Sequence, residues 1–294
     1  MLPDKIQYVI FALSDTINRN FVRGAIILKY VCALLSLLLF FSLGIRSAEA
    51  AVSNRPINWG FEKSRNHQSA EPGQPLRDLL KKHDAFYMGD PTQKYIYLTF
   101  DNGYENGYTA SVLDVLKKRK VPAAFFVTGH YLLDQPQLVK RMAAEGHIVG
   151  NHSWHHPDLT KVSDERLRKE LDSVRVKTEE LTGYQGLNYL RPPRGVFSER
   201  VLSLSKELGY QPVFWSLAFV DWHTNAQKGW RYSYDQIMAQ IHPGCILLLH
   251  TVSKDNAEAL DQAIEDLTKQ GYIFKSLDDL MIDRTFHQPF FYSL

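Results

Sequence analysis

The sequence of 294 residues is poor in cysteine and carries almost no excess charge. Its two cysteines lie far apart, Cys32 in an apolar N-terminal run and Cys245 in an apolar run typical of a buried strand. We therefore expect neither a disulfide nor a cysteine-based metal site. The formal net charge is +2 at pH 7, and acidic and basic residues balance outside residues 1–50. Because the chain lacks the basic surface of a nucleic-acid-binding protein, we expect no nucleic-acid partner, and nothing indicates an obligate protein partner.

A long apolar run, residues 31–45, lies near the N-terminus. It follows several basic residues and precedes the small-residue sequence Ala48-Glu49-Ala50. A basic leader, an apolar run of this length and an Ala-x-Ala site are the parts of a secretory signal, with cleavage after Ala50. If the run is extended back to Gly24, it reaches the length of a membrane span. We predict that residues 1–50 form a signal peptide or an N-terminal membrane anchor, which engages the secretion machinery or the membrane, and that the protein is exported across the cytoplasmic membrane.

The remainder of the chain divides into a loop-rich segment and a regular one. Residues 51–94 hold many prolines, glycines and aromatic residues, which predicts an N-terminal arm packed on a domain and not a free linker. Beyond the arm, apolar runs predict strands at residues 95–100, 123–127, 148–149, 188–190, 212–217, 245–249 and 272–274. Helix-period stretches lie between them at residues 110–119, 137–145, 164–181, 198–208, 234–241 and 256–270. Strands that alternate with helices form parallel βαβ units, so the fold class is α/β, and this number of units favours an incomplete barrel over an open sheet.

Polar residues follow the predicted strands at the points where each strand ends. They are Asp101 and Asn102 after the first strand, His152 and His156 after the third, Arg191 and Arg194 after the fourth, Asp221 and Trp222 after the fifth, and His250 at the end of the sixth. A parallel barrel gathers these loops on one face. We therefore expect the side chains to share one site.

Two imidazoles four residues apart, His152 and His156, suit a divalent metal ion such as zinc. Pro157 disfavours helical backbone at His156, so we expect an irregular loop there. The spacing is similar to the His-Glu-x-x-His motif of zinc proteases, but Ser153 stands where that motif has its glutamate. This difference argues against the protease class. A polar loop that happens to be rich in histidine is the alternative.

Arg191 and His250 are candidates for roles beside a carboxylate. Two prolines stiffen the backbone after Arg191, which helps a guanidinium to hold a carboxylate in its ionised form. A rigid turn with surface arginines is the alternative. His250 ends an apolar strand, where a histidine often only caps the strand or packs in the core. Paired with an acid it becomes a candidate general acid, because the acid favours the imidazolium form.

Five of these segments, in this order, resemble the motifs of the polysaccharide deacetylase family, carbohydrate esterase family 4. They are residues 99–103 (TFDNG), 152–156 (HSWHH), 191–195 (RPPRG), 221–222 (DW) and 248–250 (LLH). The resemblance implies a distorted, incomplete (β/α)7 barrel. It also implies a catalytic domain over residues 95–285 and a C-terminal tail over residues 286–294.

One position departs from the family pattern, because Asn102 stands where most members have a second aspartate that binds the metal. With this asparagine, the string 101–109 (DNGYENGYT), the arm around Trp59 and residues 191–198, the chain is most similar to the muramic δ-lactam-forming peptidoglycan de-N-acetylases. The resemblance implies removal of the N-acetyl group from N-acetylmuramic acid on peptidoglycan glycan strands, as a step to muramic δ-lactam in spore cortex, in the cell wall or spore envelope space. A peptidoglycan or chitin N-acetylglucosamine deacetylase and a catalytically inactive wall-binding module are the alternatives.

The resemblance implies a proton-transfer role for four residues. Amide hydrolysis requires an activated water and a protonated leaving amine. Asp101 is then the general base, kept ionised by Arg191. His250 is the general acid, tuned by Asp221.

The resemblance also implies a divalent metal ion of the zinc, manganese or cobalt type. His152, His156 and Asn102 are its expected ligands. Since the amide of Asn102 is neutral, we expect the ion to be weakly bound. Arg194 and Trp222 are expected near the sugar of the substrate.

Overall fold

The computed structural model describes Lys29, residues 52–184 and residues 188–287. Apart from Lys29, these residues fall in one structural unit, Val52–Leu294. The predicted signal or anchor, with Cys32, and most of the predicted tail lie outside the described residues, and the predicted domain boundaries stay predictions. Within the described residues, no helix combines the length and the hydropathy needed to cross a bilayer.

The described strands form one large sheet and one small one. They are β1 (Ile57–Asn58), β2 (Tyr95–Asn102), β3 (Ala123–Val127), β4 (Ile148–Asn151), β5 (Tyr189–Leu190), β6 (Val196–Phe197), β7 (Gln211–Pro212), β8 (Cys245–His250) and β9 (Ile273–Phe274). The large sheet has the order β7-β5-β4-β3-β2-β8, and β9 also pairs with β2. Its ladders are parallel, as the alternation of strands and helices predicts. An antiparallel ladder joins β1 to β6.

Helices lie between the strands along the described chain. They are α1 (Gln74–Lys82), α2 (Thr109–Arg119), α3 (Gly129–Asp134), α4 (Pro136–Ala144), α5 (Asp164–Thr182), α6 (Glu199–Glu207), α7 (Trp230–Gln240), α8 (Lys254–Lys269) and α9 (Leu277–His287). Helix α5 begins after Ser163, whose hydroxyl accepts a hydrogen bond from the backbone N–H of Arg166, and ends at Gly183 in the left-handed conformation. The pattern analysis missed α3, because six residues are too few to show a helical period.

The predicted strand at residues 212–217 is the main difference between expectation and structure. Only Gln211–Pro212 pairs in the ladder, and Pro212 has no N–H to continue it. The next residues make single parallel bridges, Val213 to Phe86 of the arm and Leu217 to Leu247 of β8. Isolated bridges therefore replace a continuous ladder between β7 and β8. This confirms the predicted α/β fold with a distorted, incomplete barrel.

Alternation along β2 decides which side chains reach the site. Successive residues of a strand point to opposite faces. Tyr97 packs in one core cluster, whereas Leu98 and Phe100 pack in the larger cluster that includes the helices. Asp101 consequently lies on the Tyr97 face, and Asn102 lies on the face turned to the helices.

Candidate active site

A cavity of about 770 Å³ opens at the carboxyl end of β2. Its lining includes Asp101, His152, His156, Trp222 and His250. These residues lie at or after the carboxyl ends of four different strands, and the parallel sheet brings those ends together. The structure therefore places five of the predicted site residues in one cavity.

Four predicted residues stand outside this lining. Arg191 and Asp221 are buried and contact lining residues from behind. Asn102 is fully buried on the other face of β2. Arg194 is exposed on a short 3₁₀ turn, Pro193–Gly195, with φ of 58°, and its positive charge helps to lower the pKa of His156, after burial and the charge of His152.

Asp101 and Arg191 form a buried ion pair. Arg191 Nη1 lies 3.0 Å from Asp101 Oδ1 and donates a second hydrogen bond to Thr99 Oγ1 at 2.9 Å. The guanidinium also packs over the ring of Phe126, 4.3 Å from its centroid. Burial alone would raise the pKa of the Asp101 carboxyl, but the charge of Arg191 overcomes that effect and the pKa is lowered. The carboxylate is therefore ionised at neutral pH.

His152 and His156 lie side by side, with ring centroids 4.8 Å apart. His152 Nδ1 is 2.7 Å from the carbonyl oxygen of Arg191, so Nδ1 carries the proton and Nε2 keeps its lone pair. Nε2 lies 3.5 Å from Asp101 Oδ2. Burial lowers the pKa of both rings, that of His156 to about 4. Both imidazoles are thus neutral and able to act as metal ligands.

The loop that carries these histidines is irregular, as Pro157 predicts. Ser153 and His156 both have positive φ, 64° and 57°. The loop bonds to itself, since Ser153 Oγ accepts the His156 N–H at 3.1 Å and Asn151 Oδ1 accepts the Ser153 N–H at 2.9 Å. These bonds fix the direction of the His156 ring without a helix.

His250 and Asp221 form the second charged pair of the site. His250 Nδ1 lies 2.7 Å from Asp221 Oδ1, and the His250 N–H donates to Asp221 Oδ2 at 2.8 Å. Burial would lower the pKa of His250, but the Asp221 carboxylate overcomes this and raises the pKa above its ordinary value. Nε2 is left for the cavity. The ring of Trp222, 43% exposed, stands 5.4 Å from the His250 ring.

The donors that the cavity offers to a metal ion are the imidazoles of His152 and His156, because the third expected ligand, Asn102, lies on the other face of β2. Asn102 Nδ2 donates to Thr251 Oγ1 at 2.7 Å, while Asn102 Oδ1 is buried without a hydrogen-bond partner. Across the described ranges, no group of three or more His, Cys, Asp or Glu residues forms a metal site. The neutral rings of His152 and His156 fit an ion that two protein ligands hold weakly, and the structure does not bring the expected third ligand, Asn102, to them because the alternation of β2 turns it to the other face.

Sequence analysis missed one buried carboxylate that shapes the histidine loop. Glu170 accepts hydrogen bonds from the His155 N–H at 2.7 Å, from His155 Nδ1 at 2.8 Å and from Arg166 Nε at 2.9 Å. It lies on the buried face of α5 beside Leu167 and Leu171. An acid at an apolar helical position was the available signal. The cavity lining also includes Gly103, Tyr104, Trp154 and His155, which stand in the quoted motifs without an assigned role, and Thr128, His130 and Leu133, which sequence analysis did not single out.

The fold and the site define a class: an acid–base hydrolase built on an incomplete parallel barrel. A carboxylate and an imidazole face one cavity, and each has an oppositely charged partner behind it. Such pairs keep one group ionised and the other protonated at the same pH.

Comparison with known proteins agrees with this class. The polysaccharide deacetylase family model matches residues 88–213. The peptidoglycan-N-acetylmuramic acid deacetylase PdaA of Bacillus subtilis (strain 168) is 59% identical over 262 residues, which cover 89% of this chain and 99% of that protein. The solved structure of B. subtilis PdaA, a family 4 carbohydrate esterase, superposes with a TM-score of 0.78 at 63% identity and covers 79% of this chain and 100% of that one. A family 4 carbohydrate esterase from Bacillus anthracis gives a TM-score of 0.68 at 56% identity, over 79% of this chain and 98% of that one.

The chain therefore belongs to the polysaccharide deacetylase family. This confirms the resemblance and the fold that it implies, and it identifies the protein as a deacetylase of the hydrolase class.

Proposed function

We propose that this protein removes the N-acetyl group from N-acetylmuramic acid in peptidoglycan, as a step to muramic δ-lactam in spore cortex. The observation that carries the proposal is its 59% identity, across 99% of the relative's length, to an enzyme named for the deacetylation of N-acetylmuramic acid. The paired charges of the cavity supply the chemistry that an amide hydrolysis needs.

The water is activated by Asp101 in this mechanism. Arg191 binds Oδ1 and keeps the carboxylate ionised, so Oδ2 is the atom that takes the proton. Asp101 is 7% exposed and reaches the cavity from the end of β2. The rigid strand holds the base in place while the substrate changes.

The leaving amine is protonated by His250. Asp221 binds Nδ1 and raises the pKa of the ring, so Nε2 carries a proton that it gives to the leaving nitrogen. Once that proton is transferred, Asp221 keeps the remaining ring proton on Nδ1, so that Nε2 can accept a new proton before the next turnover.

A divalent ion of the zinc, manganese or cobalt type would be held by His152 and His156, without Asn102, which is buried outside the cavity. When bound, the ion polarises the acetyl carbonyl and stabilises negative charge on its oxygen. The chain itself contributes the orientation of both rings, through the Arg191 carbonyl and through Ser153. Weak binding follows because two neutral imidazoles are fewer than the three protein ligands of an ordinary catalytic zinc site.

The substrate sugar is expected between Trp222 and Arg194. Trp222 offers an exposed ring face beside His250, which suits the apolar face of a pyranose. Arg194 stands exposed near His156, where a guanidinium can bind the carboxylate of the lactyl group of muramic acid. The cavity volume of about 770 Å³ suits a ligand of the size of a substituted sugar.

The site of action follows from the substrate. Peptidoglycan lies outside the cytoplasmic membrane, so the predicted signal or anchor over residues 1–50 would deliver the protein to the cell wall or the spore envelope space. Glycan strands are the partner in this proposal.

Mass spectrometry of the reaction products tests the proposal. Muropeptides and peptide-free glycan are incubated with the protein, with and without added divalent metal, and an Asp101→Asn variant serves as the inactive control. We expect loss of acetyl from muramic acid, alone or followed by loss of water. Loss confined to glucosamine would transfer the function to the N-acetylglucosamine alternative. If no glycan loses acetyl, the wall-binding module replaces the enzyme as the function.

A further inference from the structure

A buried asparagine lies behind the second charged pair of the site. Asn256, 1% exposed, belongs to the first turn of α8. Its Nδ2 donates one hydrogen bond to Asp221 Oδ2 and a second to the carbonyl oxygen of His250 at 3.2 Å. The side chain of Asn256 thus contacts both members of the pair that protonates the leaving amine, although the proposed mechanism gives it no role.

The neighbours of the Asn256 amide fix its orientation. The Asp221 carboxylate and the His250 carbonyl are both acceptors, so only the NH2 group can face them. The amide oxygen therefore points away from both, and among the described residues it has no hydrogen-bond partner. A buried acceptor without a partner lowers stability. The fold leaves this oxygen unsatisfied and keeps both bonds of the nitrogen.

Asn256 completes the set of bonds that holds the Asp221 carboxylate. Oδ1 accepts from His250 Nδ1 at 2.7 Å, while Oδ2 accepts the His250 N–H at 2.8 Å and the Asn256 amide. Across the described ranges, no other hydrogen bond reaches this carboxylate. The terminal torsion of an aspartate side chain is soft, so the carboxylate turns easily unless its partners hold it. Because both other bonds come from His250, the amide is the contact with another element that sets its plane.

The start of α8 is fastened without this side chain. Ser253 Oγ accepts the Asn256 backbone N–H at 3.2 Å, and the Ser253 N–H is donated to the His250 carbonyl at 3.4 Å. Asp255 Oδ2 accepts the Lys228 N–H at 2.7 Å. These bonds join the helix to the end of β8 and to the loop before α7. We therefore expect the fold to survive the loss of the Asn256 amide.

We propose that Asn256 is a positioning residue that fixes the Asp221 carboxylate and, through it, the ring of His250. With the amide in place, Oδ1 stays on Nδ1 and the ring keeps Nε2 directed to the cavity. Without the amide, the carboxylate turns and the ring is held less firmly. The catalytic consequence rests on the proposed role of His250 as general acid, whereas the hydrogen bonds do not.

A double-substitution cycle tests whether Asn256 acts through Asp221. The full-length native chain, Asn256→Leu, Asp221→Asn and the double variant are assayed on the glycan that the native protein deacetylates. We expect Asn256→Leu to lower kcat about 10-fold and to leave KM within about twofold, because a loosened acid affects the chemical step and not substrate binding. In the Asp221→Asn background, the same substitution should lower kcat by less than a further twofold or so. A further loss of about 10-fold in that background overturns the proposal.

Proton NMR of histidine-labelled protein examines the pair without turnover. The Nδ1 proton of His250, assigned with a His250→Gln variant, reports the bond to Asp221. We expect Asn256→Leu to speed the exchange of this proton with water at least about tenfold, because the carboxylate holds it less firmly. The Nδ1 proton of His152, which is donated to the Arg191 carbonyl, should exchange at its native rate. An unchanged rate at His250 overturns the proposal.

A second substitution, Asn256→Ala, separates the lost bonds from the bulk of leucine. It removes the same two donors and adds no bulk, and circular dichroism checks that both variants fold. We expect the two variants to lose kcat to the same extent, within about twofold. A loss in Asn256→Leu alone would assign the effect to bulk and overturn the proposal.

Two matched controls test the bare substitutions elsewhere. Gln240 of α7 is buried, and its amide oxygen also has no partner among the described residues. Asn106 donates from Nδ2 to the Val252 carbonyl at 2.9 Å, in the segment between β8 and α8. Gln240→Leu and Asn106→Ala should each keep kcat within about twofold and leave the His250 proton unchanged.

The two measurements separate this proposal from the proposed function. If the native protein deacetylates no glycan, the function fails, and the exchange rate alone decides whether Asn256 positions His250. If Asp221→Asn keeps the native kcat, the catalytic role of the pair fails and the positioning role fails with it. If kcat falls in Asp221→Asn but not in Asn256→Leu, the positioning role alone fails.

Discussion

The two ends of β2 open into two cavities in which burial has opposite effects on the charge of titratable groups. At the carboxyl end, a cavity of about 770 Å³ holds Asp101 and His250, each with an oppositely charged partner. At the amino end, a cavity of about 550 Å³ is lined by Tyr95, Tyr97 and Arg284 among others. Burial there raises the pKa of Tyr97 and lowers that of Arg284.

This contrast shows why a buried group can remain charged and act in catalysis. Burial alone pushes a titratable group towards its neutral form, as Tyr97 shows. Asp101 is buried on the same strand face, yet its pKa is lowered because Arg191, which directly follows β5, forms an ion pair with its carboxylate. A counter-charge from another strand is thus the feature that separates the catalytic end from the other end.

The strongest way to break the contrast is to remove the charge of Asp101. We expect Asp101→Asn to lower kcat/KM by about 10³- to 10⁴-fold, because the base is lost, while the circular dichroism spectrum stays native since the amide oxygen still accepts from Arg191. Tyr97→Phe, in the other cavity, is the control and should keep activity within about twofold. Substantial turnover by Asp101→Asn would remove this residue from the role of base.

The second charged pair predicts a change in pH dependence. His250 acts in its protonated form, so activity falls as pH rises through its raised pKa. Asp221→Asn removes the carboxylate that raises this pKa. We expect about a 10²-fold loss at neutral pH and a shift of the alkaline limb of the kcat/KM profile to lower pH. An unmoved alkaline limb would show that another group supplies the proton.

The charged residues of the catalytic end could be predicted from the sequence, because they follow a local rule. Each stands where an apolar run stops, and a parallel sheet brings such points together. Asp101, His152 and His250 are predicted in this way from the sequence alone. The strands 95–100 and 123–127 were found for the same reason, since long apolar runs keep a clear pattern.

The remaining features depend on contacts that no local pattern contains. The role of Glu170 requires the packing of α5 against the histidine loop. The burial of Asn102 away from the cavity requires its alternation with Asp101 and the positions of Thr251 and Thr109. The expected strand at residues 212–217 failed because the arm and β8 satisfy its backbone separately. Tertiary packing decides all three cases.

Removal of metal separates two contributions at the catalytic end, that of the charged pairs and that of the neutral histidines that would bind the ion. We expect exhaustive chelation to lower kcat/KM by about 10- to 100-fold and added zinc, manganese or cobalt to restore it. The His156→Ala variant is the control, because it should lose most of this metal response. Full activity after chelation would contradict the metal part of the proposed mechanism.

The smallest effect is expected at the amino end of the sheet, at His147. Its two ring nitrogens are buried without hydrogen-bond partners, and its ring lies 5.5 Å from that of Phe125. His147→Phe removes two unsatisfied groups and keeps the ring contact. We therefore expect a gain of about 1 kcal/mol, or about 2–4 °C in Tm, at pH 7.5.

The pH dependence of the gain in Tm shows whether it comes from the buried imidazole or from packing. Burial lowers the pKa of His147 in the folded protein, so below about pH 6.5 the unfolded chain binds a proton that the folded chain does not. Stability contributed at this position is thus lost as pH falls, and the phenylalanine variant escapes the loss. Differential scanning fluorimetry at pH 7.5 and pH 5 should show a larger advantage at pH 5, with exposed His223→Phe unchanged as the control. An equal gain at both pH values would mean that the packing of the new ring, and not the loss of a buried uncharged imidazole, accounts for the higher Tm of the His147→Phe variant.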